Sequence, residues 1–190
     1  MQQPKIKYMS PEEYLALEEA AEFKSEYYQG EIFNMAGASI SHNRIAMNLS
    51  SEINIVLKNT KCQVFMSDMR IWISSKEFFT YPDILVVCNI PEFYSNRNDT
   101  ITNPLIIIEV LSKSTENYDR GNKFLFYRSI PTFQEYILID QYSVHIEHFY
   151  IGVDGNWILK EYDHLNDILK FTKIDFQIPL KDIYSQVEFD

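Results

Sequence analysis

The chain has 190 residues, of which 46% are hydrophobic and 15% aromatic, a composition that excludes a disordered protein and favours one domain with its own core. Its net charge of −10 argues against a broad basic surface for nucleic acid, because phosphate contacts need Lys and Arg. The acidic excess lies in the two ends, however. Residues 44–130 carry 10 basic and 9 acidic side chains, so we expect an anionic substrate to meet the middle of the chain.

The sequence carries no sign of export or of membrane insertion. Its first ten residues, MQQPKIKYMS, lack the apolar segment of a signal peptide. The longest apolar runs, such as PLIIIEVL at 104–111, are far shorter than the roughly 20 residues that a membrane span needs. We therefore expect a cytoplasmic protein without membrane association, in which Cys62 and Cys88 are buried free thiols.

The first predicted element is a helix near the amino terminus. Ser10 is expected to cap it, Pro11 to occupy its first position and Glu13 to close a capping box. The pattern continues to about Phe23. The residues expected to face the core are Tyr14, Leu15, Leu17 and Ala21.

A hairpin and a second helix are predicted next. Gly30 separates two short apolar segments, which favours a β-hairpin. The segment 41–59 has apolar residues at helical spacing, and Ser41 is its candidate cap. The residues expected to face the core are Ile45, Leu49, Ile53 and Val56.

Strands dominate the rest of the chain. Residues 62–74 alternate in their second half, while 81–87 and 104–112 contain continuous apolar runs that are typical of interior strands covered on both faces. A helix is predicted to begin at Asp119. It is expected to end at Ile130, because Pro131 follows and the residue before a proline avoids the helical conformation. EYILID at 135–140 predicts another strand.

From Val144 onward the pattern predicts a β-meander with Asp154-Gly155 at a hairpin turn. His145 and His148, three apart on a presumed strand, should face opposite sides, and we interpret both as structural. The order of elements predicts an α/β fold, in which residues 1–190 form a single domain with a mixed central β-sheet flanked by helices.

Two carboxylates stand out because they lie at the ends of buried strands. Asp83 precedes the run ILVV, and Glu109 follows the run LIII. An ionised carboxylate is costly to bury without a cation, and two neighbouring ones repel each other. A divalent cation such as Mg²⁺, which prefers oxygen ligands, resolves both problems. If the helix after Asp119 packs back over the strand end, Lys123 approaches Glu109, where it could orient an attacking water or stabilise charge on a phosphate.

These motifs resemble the PD-(D/E)xK nuclease superfamily, and more closely its Uma-two family of restriction-endonuclease-like proteins. The resemblance runs from about residue 9 to 160 and implies a restriction-endonuclease-like core. The motifs that carry it are SEYYQGEI at 25–32, SH at 41–42, PDI at 82–84, PLIIIEVLSKST at 104–115, DRGNK at 119–123 and EYILID at 135–140.

The resemblance implies a metal-dependent endonuclease that hydrolyses DNA. In that reading Mg²⁺ or Mn²⁺ is held by Asp83, Glu109 and the backbone carbonyl of Val110. Lys123 is the counterpart of the superfamily's catalytic lysine, and Glu26 joins the catalytic residues. One departure concerns the lysine, which the superfamily pattern places two residues after the glutamate, where this chain has Leu111. His42 is expected to line the site without binding the metal.

Two other functions fit parts of the pattern. A non-catalytic module on the same fold, which binds protein or DNA, agrees with the acidic net charge. Glycoside hydrolysis needs only a pair of carboxylates and leaves Lys123 without a role. We also expect a homodimer, since closed two-fold dimers are the commonest oligomers. The surface expected to form it consists of Phe149, Tyr150, Trp157 and Tyr162.

Overall fold

A computed structural model describes residues 8–35 and 37–189. Its helices are short except for one. They are α1 (Pro11–Glu18), α2 (Ile40–Leu57), α3 (Glu116–Tyr118), α4 (Phe124–Tyr127) and α5 (Leu180–Ile183). A π-helical turn at Asp119–Lys123 joins α3 to α4, and 3₁₀ turns lie at Ser74–Lys76 and Tyr94–Asn96.

A six-stranded mixed sheet forms the centre of the molecule. Its parallel pair consists of the two neighbouring central strands β8 and β9, and its other pairs are antiparallel. In spatial order its strands are β11 (Trp157–Tyr162), β10 (Ile146–Ile151), β9 (Glu135–Asp140), β8 (Ile106–Leu111), β6 (Ile84–Cys88) and β3 (Cys62–Met66).

The remaining strands form two smaller sheets. The five-stranded sheet has the order β2 (Glu31–Asn34), β1 (Ser25–Tyr28), β5 (Phe78–Thr80), β4 (Arg70–Ile73) and β7 (Thr100–Ile101). The two-stranded sheet pairs β12 (Ile168–Lys170) with β13 (Gln177–Pro179). The predicted fold class, an α/β fold with a mixed central sheet, flanking helices and a C-terminal meander, is confirmed. The separate five-stranded sheet was not anticipated.

Three apolar clusters hold the layers together. One lies between the six-stranded sheet and α2, α5 and the two-stranded sheet. The second fills the other face of the six-stranded sheet, against α4 and the inner face of the five-stranded sheet. In the third, α1 packs on the outer face of the five-stranded sheet through Tyr14, which contacts Tyr27 and Phe79. Because both faces of β6 and β8 are covered, their residues are almost all buried, as predicted for interior strands.

Both predicted amino-terminal helices exist, but their ends differ from the prediction. The capping box of Ser10 and Glu13 is present. Helix α1 stops at Glu18, whose carboxylate accepts hydrogen bonds from the backbone and side chain of Ser25 and thereby ties the chain into β1. Leu17 is consequently 52% exposed rather than packed in the core, and Ala21, also expected to face inward, is exposed.

The second helix begins earlier than predicted. Its cap is Ser39, whose hydroxyl accepts the backbone N–H of His42, and not Ser41. Ile45, Leu49 and Ile53 are buried as predicted, whereas Val56 is exposed and Leu57 takes its place in the core. The face of the helix that is buried therefore differs from the predicted face only in the last turn.

One further prediction is wrong. Cys62 and Cys88 are not free thiols but form a disulfide, because antiparallel pairing of β3 with β6 places them directly opposite each other.

The aromatic surface expected on the meander is present only in part. Tyr162 is buried in the first apolar cluster. Phe149, Tyr150 and Trp157 are half-buried, and Phe149 and Trp157 pack against Phe124 in the second apolar cluster.

Candidate active site

The strand register places Asp83 and Glu109 beside each other. In the antiparallel pair of β6 and β8, Leu85 lies opposite Ile107 and Ile84 opposite Ile108. One more step of this register brings Asp83 opposite Glu109. Because alternate residues of a strand share a face, both carboxylates lie on the face that carries the second apolar cluster.

Each of the two carboxylates accepts a hydrogen bond from a backbone N–H group of the neighbouring strand segment. The N–H of Val110 donates to Oδ2 of Asp83 at 2.8 Å, and the N–H of Asp83 donates to Oε2 of Glu109 at 3.3 Å. Glu109 is buried and Asp83 is partly exposed. The role proposed for the carbonyl of Val110 stays a prediction.

Lys123 is the cation of this cluster. Its Nζ lies 2.9 Å from Oε1 of Glu109, 3.3 Å from Oδ1 of Asp119 and 3.7 Å from Oε1 of Glu26. The π-helical turn positions it, since Asp119 and Lys123 are the first and last residues of that turn. Such turns occur mostly as single-turn bulges and frequently at functional sites. All four side chains are buried.

The pKa values reflect this crowding of charge. Burial, together with the charges of Asp83 and Asp119, raises the pKa of Glu109 to about 8, although Lys123 opposes the shift. Burial lowers the pKa of Lys123, but the carboxylates of Glu109, Asp119 and Glu26 raise it well above its ordinary value. Lys123 therefore stays protonated, whereas Glu109 holds its proton more tightly than an ordinary carboxyl, because the protein compensates its negative charge only in part.

Glu26 enters the site from the other sheet. It lies on β1, where its two carboxylate oxygens accept hydrogen bonds from the hydroxyls of Thr80 and, at 3.1 Å, Tyr118. Its neighbour Tyr27 points to the outer face of the sheet and packs against Tyr14. The alternation along β1 therefore directs Glu26 to the inner face, toward Lys123.

Three residues that the sequence interpretation gave no role in the site also belong to this cluster. Asp119 was expected only to begin a helix, but its buried carboxylate contacts Lys123. Tyr127 donates its hydroxyl to Oε1 of Glu109 at 2.7 Å, and Tyr118 donates to Glu26. Asp119 and Tyr127 each lie four residues from Lys123, and this helical spacing was the available signal.

His42 is positioned by the capped first turn of α2. Its Nε2 lies 3.0 Å from Oδ2 of Asp83, the oxygen that also accepts the N–H of Val110. Its Nδ1 is buried without a hydrogen-bond partner among the described residues. Two groups thus hold Oδ2 of Asp83 in place, which leaves Oδ1 as the oxygen turned to other partners.

The cluster lines a cavity of about 860 Å³ between the two larger sheets. All the residues proposed for the site from the sequence contribute to it: Glu26, His42, Asp83, Glu109, Val110 and Lys123. A ligand in the cavity can therefore reach these residues, including the side chains that are largely buried.

The donor set fits a divalent metal ion. Three carboxylates (Glu26, Glu109 and Asp119) contact Lys123, and that of Asp83 lies beside Glu109, so one cation faces four carboxylates. Within 8–35 and 37–189, no three His, Cys, Asp or Glu side chains are arranged as a complete metal centre. Mg²⁺ needs no such centre, because it binds through one or two carboxylates and takes water and substrate phosphate as its remaining ligands.

Comparison with known proteins identifies the family. Residues 11–180 match the profile of the Uma2 family, described as "Putative restriction endonuclease", and the chain belongs to this family. The chain is 43% identical over 166 residues to the uncharacterized protein sll1609 of Synechocystis sp. (strain ATCC 27184 / PCC 6803 / Kazusa), which covers 87% of this chain and 94% of the relative. It is 36% identical over 181 residues to the uncharacterized protein slr1290 of the same strain, with 95% and 94% covered.

A solved structure shows the same fold. The crystal structure of a protein from Anabaena variabilis ATCC 29413, described as a "putative nuclease belonging to DUF820", superposes with a TM-score of 0.77 at 21% identity. The match covers 95% of this chain and 99% of that one. The restriction-endonuclease-like family assigned from the sequence motifs is thus confirmed.

Removal of Lys123 should destabilise the fold. Lys123→Ala leaves the carboxylates of Glu109 and Asp119 buried without a cation, which typically costs about 3–5 kcal/mol. Urea denaturation measures the loss, and millimolar Mg²⁺ should recover part of it by binding the native state alone. Lys61→Ala, at an exposed lysine, is the control and should change little. Equal unfolding midpoints for the two variants would show that the cluster does not need its lysine.

Proposed function

We propose that this chain is a metal-dependent endonuclease that hydrolyses phosphodiester bonds in DNA. The observation that carries the proposal is the contact of Lys123 with Glu109, directly beside Asp83, in a cavity large enough for a nucleotide. Membership of the Uma2 family supports nuclease chemistry in general. The choice of DNA and of Mg²⁺ or Mn²⁺ is our inference from the donor set and the motifs.

Some residues of the site would bind a metal ion, and others would contact the substrate. Asp83, Glu109 and the carbonyl of Val110 would hold the ion. When bound, the ion would acidify water and withdraw charge from the phosphate oxygens. Hydrolysis joins a water oxygen to phosphorus and breaks the bond to one sugar oxygen, which takes up a proton.

Lys123 is suited to the reacting phosphate because its charge is permanent and its position is fixed. Its ammonium group can orient the attacking water and donate to an oxygen on which negative charge develops. Tyr127 holds Glu109, and His42 holds Asp83, so the carboxylates need no rearrangement when the substrate enters. Glu26 contacts Lys123 from the opposite sheet and restricts the position of its ammonium group.

The decisive test is cleavage of plasmid DNA. The wild-type protein should cut with Mg²⁺ or Mn²⁺ and stop when EDTA removes the metal. Asp83→Ala, which removes a metal ligand, and Lys123→Ala, which removes a transition-state donor, should each lower turnover about 100-fold or more when assayed below their melting temperatures. Asp175→Ala, at an exposed carboxylate outside the cavity, should cut normally. Normal cleavage by Lys123→Ala would refute its catalytic role.

The rival function is a non-catalytic module that binds DNA or protein. The net charge of −10 favours it, because a catalyst acting on a polyanion gains from positive potential. The plasmid assay separates the two functions. A folded, metal-binding wild-type protein that leaves DNA intact under all metal conditions would favour the module.

His42 generates a separate expectation about metal affinity. Groups that hold a ligating carboxylate typically contribute about 10–100-fold to metal affinity or activity. His42→Ala should therefore weaken Mn²⁺ binding about 10-fold in isothermal titration calorimetry, and saturating Mn²⁺ should restore most of the turnover. His164→Ala, at an exposed histidine, is the matched control. An unchanged Kd for Mn²⁺ in His42→Ala would remove the positioning role.

The homodimer and the cytoplasmic location stay predictions. The structure shows that no helix among the described residues is long and apolar enough to cross a membrane. Of the aromatic residues expected to form the dimer, Tyr162 is buried, while Phe149, Tyr150 and Trp157 are half-buried. The remaining argument for a dimer is that cutting both strands of a duplex calls for two sites, and the mass from light scattering measures it directly.

A further inference from the structure

We propose that the site acts on unpaired, single-stranded DNA, with one base stacked on Phe33 and another on Tyr142. This inference rests on the proposed function, because it concerns the substrate of the same cavity. It assigns a role to aromatic side chains that the catalytic cluster does not use. The cavity is lined by Phe33 on the side of the five-stranded sheet and by Tyr142 on the side of the six-stranded sheet.

Phe33 lies beside the catalytic cluster. In the β1–β2 hairpin it is paired directly with Glu26, and directly paired residues project from the same face, with Cβ atoms about 4.5–5.5 Å apart. The carboxylate of Glu26 is buried in the cluster, whereas the ring of Phe33 is 46% exposed at the cavity. The exposed part of this ring is therefore accessible to a ligand in the cavity.

Tyr142 lines the same cavity from the side of the six-stranded sheet. It follows β9, and its ring is 37% exposed. The Nζ of Lys113 lies 4.8 Å from the centre of this ring, and the backbone N–H of Lys113 donates to its hydroxyl at 3.4 Å. Lys113 belongs to the loop that follows β8, the strand that carries Glu109. An aromatic ring and a cation thus lie together close to the proposed reacting phosphate.

The charge of the cavity disfavours a duplex. Its lining carries five carboxylates and three lysines, so one divalent cation would bring it to neutrality. Two of these lysines, Lys24 and Lys123, already contact carboxylates, while Lys113 makes no ion pair among the described residues. Duplex binding depends on many phosphate contacts, which this lining does not offer.

A single strand can use what the lining does offer. Stacking of a base on an aromatic side chain supplies affinity without positive charge and tolerates any sequence. The bases of a duplex are stacked on each other and cannot use the faces of Phe33 and Tyr142. The rings of Phe33 and Tyr142 lie on either side of the carboxylate–lysine cluster. They therefore select a strand that has unpaired bases on both sides of the bond to be cut.

Binding can be measured separately from cleavage. The probes are a fluorescent oligothymidylate of about 20 nucleotides, longer than the roughly 4–16 nucleotides of a single-strand site, and a duplex of equal length. Fluorescence anisotropy with Ca²⁺ in place of Mg²⁺ gives both Kd values. We expect tighter binding of the single strand. Phe33→Ala and Tyr142→Ala should each weaken it by about 5- to 150-fold, the loss of one stacked base, with duplex binding unchanged.

Three further variants distinguish stacking from a structural effect. Phe33→Trp keeps an aromatic face and should retain binding, whereas Phe33→Leu keeps apolar bulk and should not. Phe93→Ala removes a phenylalanine that is 41% exposed outside the cavity and should bind like wild type. Melting temperatures near that of wild type confirm that each variant is folded.

The outcomes separate this inference from the proposed function. Single-strand binding that depends on Phe33 and Tyr142, in a protein that cuts no DNA, supports the preference of the cavity for single strands while the nuclease proposal fails. Cleavage of duplex DNA at a rate equal to that of single strands, with Phe33→Ala without effect on either, overturns the substrate class while the nuclease proposal stands. Failure of both probes to bind, or equal binding by Phe33→Leu and wild type, also overturns it.

Discussion

The contact between the ammonium group of Lys123 and the carboxylate of Glu109 is the interaction on which the site depends. Both groups are buried, and neither could stay charged there alone without a large desolvation cost. The contact also joins the layers, because Glu109 lies on β8 of the central sheet, Lys123 ends the π-helical turn, and Glu26 reaches the same ammonium from the five-stranded sheet. The position of the helical segment 116–127 over the sheet is thereby fixed by charge as well as by packing.

The cluster holds more negative charge than its own stability would require. Lys123 would be well paired by one carboxylate, yet burial, together with the charges of Asp83 and Asp119, raises the pKa of Glu109 to about 8. An arrangement that keeps like charges together is costly in the free protein and becomes favourable when a cation arrives. Strongly perturbed carboxylates in a cavity are a recognised mark of functional sites. The hydrogen bonds from Tyr127 and Tyr118 keep these carboxylates in place in the meantime.

The sequence predicted those parts of the site that follow from strand periodicity. Asp83 directly precedes β6 as expected, whereas Glu109 lies within β8 and not at its end, because Val110 and Leu111 continue the strand. The two carboxylates still lie together, because alternation along two adjacent strands decides which side chains share a face. The π-helical turn could not be predicted, since it depends on how 116–127 packs against the sheet and not on a local pattern. Two further features also depend on strand register and tertiary contacts rather than on a local pattern. They are the capping of α2 by Ser39 instead of Ser41 and the pairing of Cys62 with Cys88.

The acidic charge of the chain is compatible with a nucleic-acid substrate, because the charges inside the cavity differ from the net charge of the whole chain. An overall charge of −10 opposes the approach of any polyanion, and it opposes a duplex most because a duplex has the higher charge density. A short unpaired segment brings fewer charges to the cavity, where the proposed divalent ion and Lys113 would act on it at close range. Electrostatic repulsion of the duplex outside the cavity and stacking of unpaired bases inside it would together select single strands. Discrimination between two substrates depends on what disfavours the wrong one as well as on what binds the right one.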